Sequence, residues 1–118
     1  MDVRNVYEKI GGDFDDVMSR LRKEERVEKF LKLFLKDTSF AELKESMEKN
    51  DIPAAFKAAH TAKGVCANLS LERLRAKASA LTEDLRDGKN IPHAMEYYPE
   101  VMACYEETVK TIQESVEE

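Results

Sequence analysis

The chain lacks several features that mark common classes of protein. It has no tryptophan, two cysteines, two histidines, and only 4 glycines and 3 prolines in 118 residues. So little glycine and proline excludes a loop-rich or low-complexity chain. With 42% hydrophobic and 36% charged residues, the composition instead favours amphipathic helices. We expect one domain over residues 1–118, with one modest core.

The sequence also lacks features of membrane-spanning, secreted and nucleic-acid-binding proteins. No apolar run approaches the roughly 20 residues of a membrane-spanning helix, and the first residues do not resemble a signal peptide. A net charge of −5 argues against a nucleic-acid partner, which would require a basic face. Cys66 and Cys104 fall inside predicted helices and resemble small core residues in a reducing compartment. A cytoplasmic protein that contacts neither membrane nor nucleic acid is expected.

Apolar residues recur three and four positions apart along nearly the whole chain, which predicts helices and no strands. The predicted caps and breaks are Gly11-Gly12, Asp13, a capping box of Ser39 with Glu42, Asp51 with Pro53, Ser70 as an N-cap, and Gly88. Pro99 should kink or divide the last helix. The predicted fold class is all-α, an antiparallel four-helix bundle with short additional N-terminal helices.

Two of the predicted apolar stripes can be checked directly against a structure. One helix should turn inward Val27, Phe30, Leu31, Phe34 and Leu35. The last helix should turn inward Met95, Tyr98, Met102, Tyr105, Val109, Ile112 and Val116.

His60 is the most informative residue of the chain. The apolar stripe of its predicted helix consists of Ile52, Ala55, Ala59, Ala62, Cys66 and Leu69. His60 lies one step off that stripe, at its edge. Lys57, Lys63, Gly64 and Ala67 share its face, since residues three and four apart are neighbours on a helix. Glycine inside a helix costs about 1 kcal/mol relative to alanine, which favours a packing or functional reason for Gly64.

This arrangement indicates an open imidazole beside a cation, which suits a histidine that carries an anionic group such as a phosphoryl. The ordinary alternative is a helical histidine without chemistry. His93, the second histidine, is interpreted as a solvated residue near a helix end. No convergent group of acids, bases or metal ligands is visible elsewhere, so neither a metal site nor a cofactor is expected in this chain.

The segment Ala58-Ala59-His60-Thr61-Ala62-Lys63-Gly64, followed by Asn68-Leu69, resembles the signature of histidine-containing phosphotransfer (HPt) domains. These are four-helix phosphocarriers of multistep phosphorelays. The likeness extends to Gly11-Gly12-Asp13-Phe14, Arg20-Leu21, Phe30-Leu31-Lys32-Leu33-Phe34, Asp37 and Leu43. Two residues depart from the family pattern: Ala62 stands where a larger apolar residue is common, and Ser70 stands where glycine is common.

The resemblance implies that His60 accepts and donates the phosphoryl group. It implies that Lys63 steadies the phosphoryl charge, that Gly64 leaves room for the partner, and that Lys57 and Ala67 belong to the docking surface. The implied partners are response-regulator receiver domains and a hybrid histidine kinase. Such a carrier is not a self-sufficient enzyme, and we expect it to be a monomer. Mg²⁺ is expected on the partner receiver domain.

Two other functions fit parts of the pattern. A regulatory bundle could dock receiver domains without phosphotransfer, and only phosphorylation chemistry separates it from a carrier. A histidine-kinase fragment would place an acidic residue after its histidine and would add an ATP-binding domain. Here Thr61 follows His60 and no such domain is visible, so the carrier interpretation is preferred.

Overall fold

The computed structural model describes residues 1–117, which form seven α-helices and a short 3₁₀ helix and contain no strand. The helices are α1 (Val3–Ile10), α2 (Phe14–Leu21), α3 (Glu24–Phe34), α4 (Ser39–Glu48), α5 (Ile52–Asn68), α6 (Glu72–Leu85) and α7 (Ile91–Glu117), with the 3₁₀ helix at Arg86–Gly88. The predicted all-α class is confirmed.

Helices α4 to α7 form the bundle. Helix α5 packs between α4 and α6, and α7 packs against α6. The ring closes where Phe40 of α4 stacks on Tyr105 of α7, with ring centroids 4.2 Å apart. Phe34 of α3 meets the same tyrosine edge-on at 6.2 Å. Aromatic pairs of this kind add about 0.5–1.5 kcal/mol to the stabilisation that comes from burial alone.

The buried face of α5 is made of small side chains. Ala55, Ala59, Ala62 and Cys66 are completely buried, and Ala58 is nearly so. Small residues let neighbouring helices approach closely, so α5 packs against α4 on one side and α6 on the other. The rotation of α5 about its axis is therefore fixed, because turning it would bury charged residues of the opposite face.

The N-terminal helices lie against this bundle. Helix α1 buries Val3, Val6, Tyr7 and Ile10 and packs mainly on α7. The Tyr7 hydroxyl donates a buried hydrogen bond of 2.7 Å to the backbone oxygen of Leu69, just after α5. Burial raises the pKa of Tyr7, which keeps the hydroxyl protonated and able to donate.

Several predicted caps are confirmed and two are wrong. Asp13 and Asp51 cap α2 and α5 through their carboxylates, as expected. Ser39 is not an N-cap: it is the first residue of α4, and its backbone N–H donates to Asp37 at 3.0 Å. Ser70 does not cap α6 either, because its backbone is left-handed (φ 54°) and its hydroxyl bonds to α2 instead.

The apolar stripes were predicted less well than the helices. In α7 the deepest line is Ala94, Val101, Cys104, Thr108, Ile112 and Ser115, while Met95 and Val116 are exposed. Small residues face the crowded interior here, and the larger ones flank them. Phe30 of α3, predicted to point inward, is 40% exposed. Helix α7 continues through Pro99 instead of dividing, because the proline is exposed and water can satisfy the backbone group it leaves unpaired.

Candidate functional site

His60 lies near the middle of the 17-residue helix α5, and its side chain is exposed. Its neighbours Ala58 and Ala59 are buried, so the core side of the helix ends directly beside it. The chain therefore presents the imidazole to solvent from a rigid element. A side chain on a packed helix is positioned more precisely than one on a loop.

An aromatic ring and a cation lie behind the imidazole. Phe56, one turn earlier on α5, lies nearly parallel to His60, with an interplanar angle of 19° and centroids 6.1 Å apart. The guanidinium of Arg86 lies 4.9 Å from the centroid of Phe56. Two hydrogen bonds of 3.1 and 3.3 Å from Arg86 to Glu83 hold that guanidinium. These contacts restrict Phe56, and Phe56 in turn limits the positions open to the His60 ring.

Two lysines flank His60 on α5. Lys57 is exposed and Lys63 is half-buried. Within residues 1–117 neither ammonium makes an ion pair. Both are thus available to an anion, on a chain whose net charge is −5. The two lysines make the surroundings of His60 locally basic, whereas the charge of Arg86 is paired with that of Glu83.

Gly64 leaves an open space beside His60. A Cβ atom placed on it would meet no atom of the surrounding protein within 4 Å. Packing within the chain therefore gives no reason for a glycine at this helical position. Ala67, three residues further on, is also exposed. Because Gly64 and Ala67 have little or no side chain, no bulky group stands beside His60 on this face, and a partner could approach the ring.

A groove runs beside the C-terminal half of α5. It encloses about 470 Å³, and its lining is mostly apolar: Arg20, Leu21, Phe30, Leu33, Phe34, Asp37, Val65, Asn68 and Leu69. Phe30 and Leu33 of α3 are 40% and 48% exposed along its edge. Large apolar side chains that stay this exposed side by side are typical of a surface that meets a partner.

His93 lies apart from these residues, at the start of α7. It is exposed, as predicted, but it is not merely solvated: its Nδ1 contacts the carboxylate of Asp84, and its ring stacks on Tyr97. The hydrogen bond to Asp84 raises the pKa of His93. This pair connects α6 to α7 and accounts for the residue structurally.

Among residues 1–117, no group of three or more His, Cys, Asp or Glu side chains could hold a metal ion. Within residues 1–117, none of the helices combines the length and the apolar character that a membrane-spanning helix needs.

Comparison with known families assigns this arrangement to a class. The model of the Hpt domain matches residues 29–115, which is well over half of the chain. The chain belongs to the Hpt domain family, whose members are phosphocarriers of phosphorelays and interact with receiver domains. No curated protein and no solved structure gives a significant match. The matched range contains His60, Phe30–Phe34, Asp37 and Leu43, whereas Gly11–Phe14 and Arg20-Leu21 lie before it.

From the sequence, His60 and its neighbours on α5 were named as candidate site residues, whereas Phe56 and Arg86 were not. Phe56 could have been found, because it lies four residues before His60 on the same face. Arg86 carried no signal, since it reaches Phe56 only when the end of α6 packs beside α5. Most residues that line the groove were part of the family likeness, but their meeting in one groove depends on how α2 and α3 pack beside α5. Lys57, Lys63, Gly64 and Ala67 lie on the accessible side of α5, where they were expected.

Gly64→Ala should raise the free energy of unfolding by up to about 1 kcal/mol, because alanine is the better helix former and its methyl group meets nothing. Urea denaturation followed by circular dichroism measures this. Gly12→Ala is the matched control and should destabilise, since its Cβ would lie 2.5 Å from the ring of Tyr7. A destabilised Gly64→Ala would mean that the glycine serves the fold.

Proposed function

We propose that this chain is a phosphorelay carrier that accepts a phosphoryl group on His60 from the aspartate of a receiver domain and passes it to another receiver. The observation that supports this most directly is the pairing of an exposed imidazole with the open space at Gly64, on a helix of an Hpt-family bundle. The helix gives up stability at Gly64 without any packing gain inside the chain.

The chemistry requires little from this chain beyond a positioned nucleophile. A lone pair on a ring nitrogen of His60 attacks phosphorus, an N–P bond forms, and the P–O bond to the receiver's aspartate breaks, so that the carboxylate leaves with the electron pair. Transfer onward reverses these steps at a second aspartate. Phosphoryl transfer depends mainly on positioning and charge neutralisation. We expect the partner receiver to supply Mg²⁺, and no metal or cofactor to belong to this chain.

Lys57 and Lys63 lie on the helix face of His60, and a third cation, Arg86, lies against Phe56. Lys63, on the same helix face as His60, is proposed to steady the phosphoryl oxygens. Lys57 and Ala67 are proposed to contact the receiver. Arg86 holds Phe56, which lies against His60, so its proposed role is to position the imidazole. Opposite charges raise encounter rates and orient partners more than they raise affinity.

The docking face is proposed to extend from His60 across the groove to α3. We define it as the exposed surface of α5 around His60, Gly64 and Ala67 together with Phe30 and Leu33. A receiver presents an acidic pocket surrounded by apolar loops, which complements a basic centre beside an apolar edge. A carrier must release each partner, so a transient complex of about micromolar affinity is expected.

We propose a monomer that acts as one unit over residues 1–118, with a hybrid histidine kinase upstream. Cys66 and Cys104 are buried free thiols, which agrees with the reducing cytoplasm expected from the sequence. The alternative function, a bundle that docks receivers without phosphotransfer, shares this docking face and is separated from the proposal by the first experiment below.

His60→Gln should abolish phosphoryl acceptance and leave the helical circular dichroism unchanged, because an exposed side chain contributes little to the core. The measurement is transfer of acid-labile ³²P from a phosphorylated receiver domain. His93→Gln is the matched control and should accept phosphate normally. If wild-type protein binds the receiver but takes no phosphate, the docking-only function is correct.

Lys63→Glu should slow transfer by roughly tenfold or more, because a charge-assisted hydrogen bond is worth about 1.5–3 kcal/mol and the reversal adds repulsion. The rate is measured by rapid quench with a phosphorylated receiver. Lys110→Glu, at an exposed position of α7, changes the net charge by the same amount and is the control. Equal effects from both variants would place the docking face elsewhere.

Leu33→Asp should raise the KM for the receiver roughly tenfold, because burying a leucine contributes about 1.5–3 kcal/mol and a carboxylate would be desolvated instead. The maximal transfer rate should change little. Met95→Asp, on α7 and 43% exposed in the wild type, tests an apolar residue outside the groove. An unchanged KM for Leu33→Asp would exclude the groove from the docking face.

A further inference from the structure

Three consecutive residues at the C-terminal end of the His60 helix, Asn68 to Ser70, accept hydrogen bonds from the N-terminal part of the chain. The backbone oxygen of Asn68 accepts a hydrogen bond of 2.9 Å from Arg20. The backbone oxygen of Leu69 accepts a hydrogen bond of 2.7 Å from the Tyr7 hydroxyl. The backbone oxygen of Ser70 accepts one of 2.9 Å from the backbone N–H of Asp13. Every donor lies before residue 29, where the family match begins.

The turn that these bonds hold ends α5 in a tight backbone motif. The N–H of Leu71 donates to the oxygen of Cys66 at 2.9 Å, and that of Ser70 donates to Ala67 at 3.1 Å. These two bonds define a Schellman motif, in which the left-handed residue is usually glycine. Here it is Ser70, at φ 54°. A left-handed backbone at serine costs free energy relative to glycine, and hydrogen bonds of the Ser70 side chain can offset that cost.

The Ser70 side chain makes such hydrogen bonds with α2. Its buried hydroxyl donates to Asp16 at 2.6 Å and accepts from Arg20 at 2.6 Å. Arg20 also bonds to Asp16 at 2.7 Å, which closes a ring of three side chains. The hydrogen bonds from Ser70 and Arg20 lower the pKa of Asp16, so its carboxylate stays ionised as an acceptor.

Arg20 reaches further, into the last turn of α5. Besides Asn68 it contacts the oxygen of Ala67 at 3.3 Å. The last carbonyls of a helix have no partner within the helix and carry partial negative charge, so a guanidinium there both bonds to them and neutralises them. Arg20 and Asn68 also line the groove, and Ala67 belongs to the docking face.

We infer that Arg20, held by Asp16 and Ser70, is a positioning residue that fixes the last turn of the His60 helix and thereby shapes the docking face for the receiver domain. The inference rests on the proposed function. We call the three bonded residues Asp16, Arg20 and Ser70 the clamp. His60 lies two turns of α5 away from the clamp, so the reactivity of the imidazole should not depend on the clamp. The clamp should matter only when a protein partner must fit Ala67, Asn68 and the groove together.

The test compares two phosphate donors on the full chain. Arg20→Gln and Ser70→Ala should each raise the KM for a phosphorylated receiver roughly fivefold, which is the size expected for a lost helix-terminal charge contact. The maximal rate, and the rate of His60 phosphorylation by phosphoramidate, should stay at wild-type levels. Amide hydrogen exchange at residues 69–71 should accelerate in both variants. Arg20→Lys, which keeps the positive charge, should raise the KM less than Arg20→Gln does.

The controls separate the possible explanations. Arg22→Gln removes an exposed charge at the end of the same helix and should change nothing. Ser70 is completely buried, so it cannot touch a partner. If Arg20→Gln raises the KM and Ser70→Ala does not, Arg20 contacts the receiver directly and the inference is wrong. The inference is also wrong if amide exchange at residues 69–71 is unchanged in both variants. If wild-type protein takes phosphate from neither donor, the proposed function fails, and the exchange measurement still decides whether the clamp exists.

Discussion

The small-residue face of α5 is the constraint on which the rest of the structure depends. Four alanines and a cysteine let α4 and α6 approach this helix closely, and that packing fixes how α5 is rotated. Once the alanines face inward, His60 and Gly64 must face outward, because the helical repeat places them on the other side. The same packing brings the end of α6 beside α5 and so places Arg86 against Phe56.

The candidate site uses local instability at two places. Gly64 weakens α5, and a Cβ atom at this position would meet nothing within 4 Å, so packing within the chain does not offset the cost. Ser70 adopts a left-handed backbone, but its hydroxyl recovers stability through Asp16 and Arg20. Both residues break the local rules for a helix or its end, and both lie on or beside the proposed docking face. Departures from local preference concentrate at functional sites for this reason.

Charge is distributed unevenly around this site. The chain is acidic overall, yet Lys57 and Lys63 flank His60 on α5 without an ion pair, while Arg86, which lies against Phe56, is paired with Glu83. Beside this basic centre, the groove offers apolar edges instead of charges. A partner with an acidic centre and an apolar border would therefore find complementary chemistry in one continuous surface.

The sequence by itself determined the helical class, most helix ends and the α5 residues of the site. These follow from local physics: the spacing of apolar residues, the carboxylate caps of Asp13 and Asp51, and the position of His60 one step off a stripe of alanines. Only the tertiary structure decided which line of α7 lies deepest, that Phe30 stays exposed, and that Ser70 bonds to α2 instead of capping α6. It also brought Arg86 and Arg20 to the two ends of the His60 helix. Those outcomes depend on contacts between residues far apart in the chain, and periodicity within one helix carries no information about them.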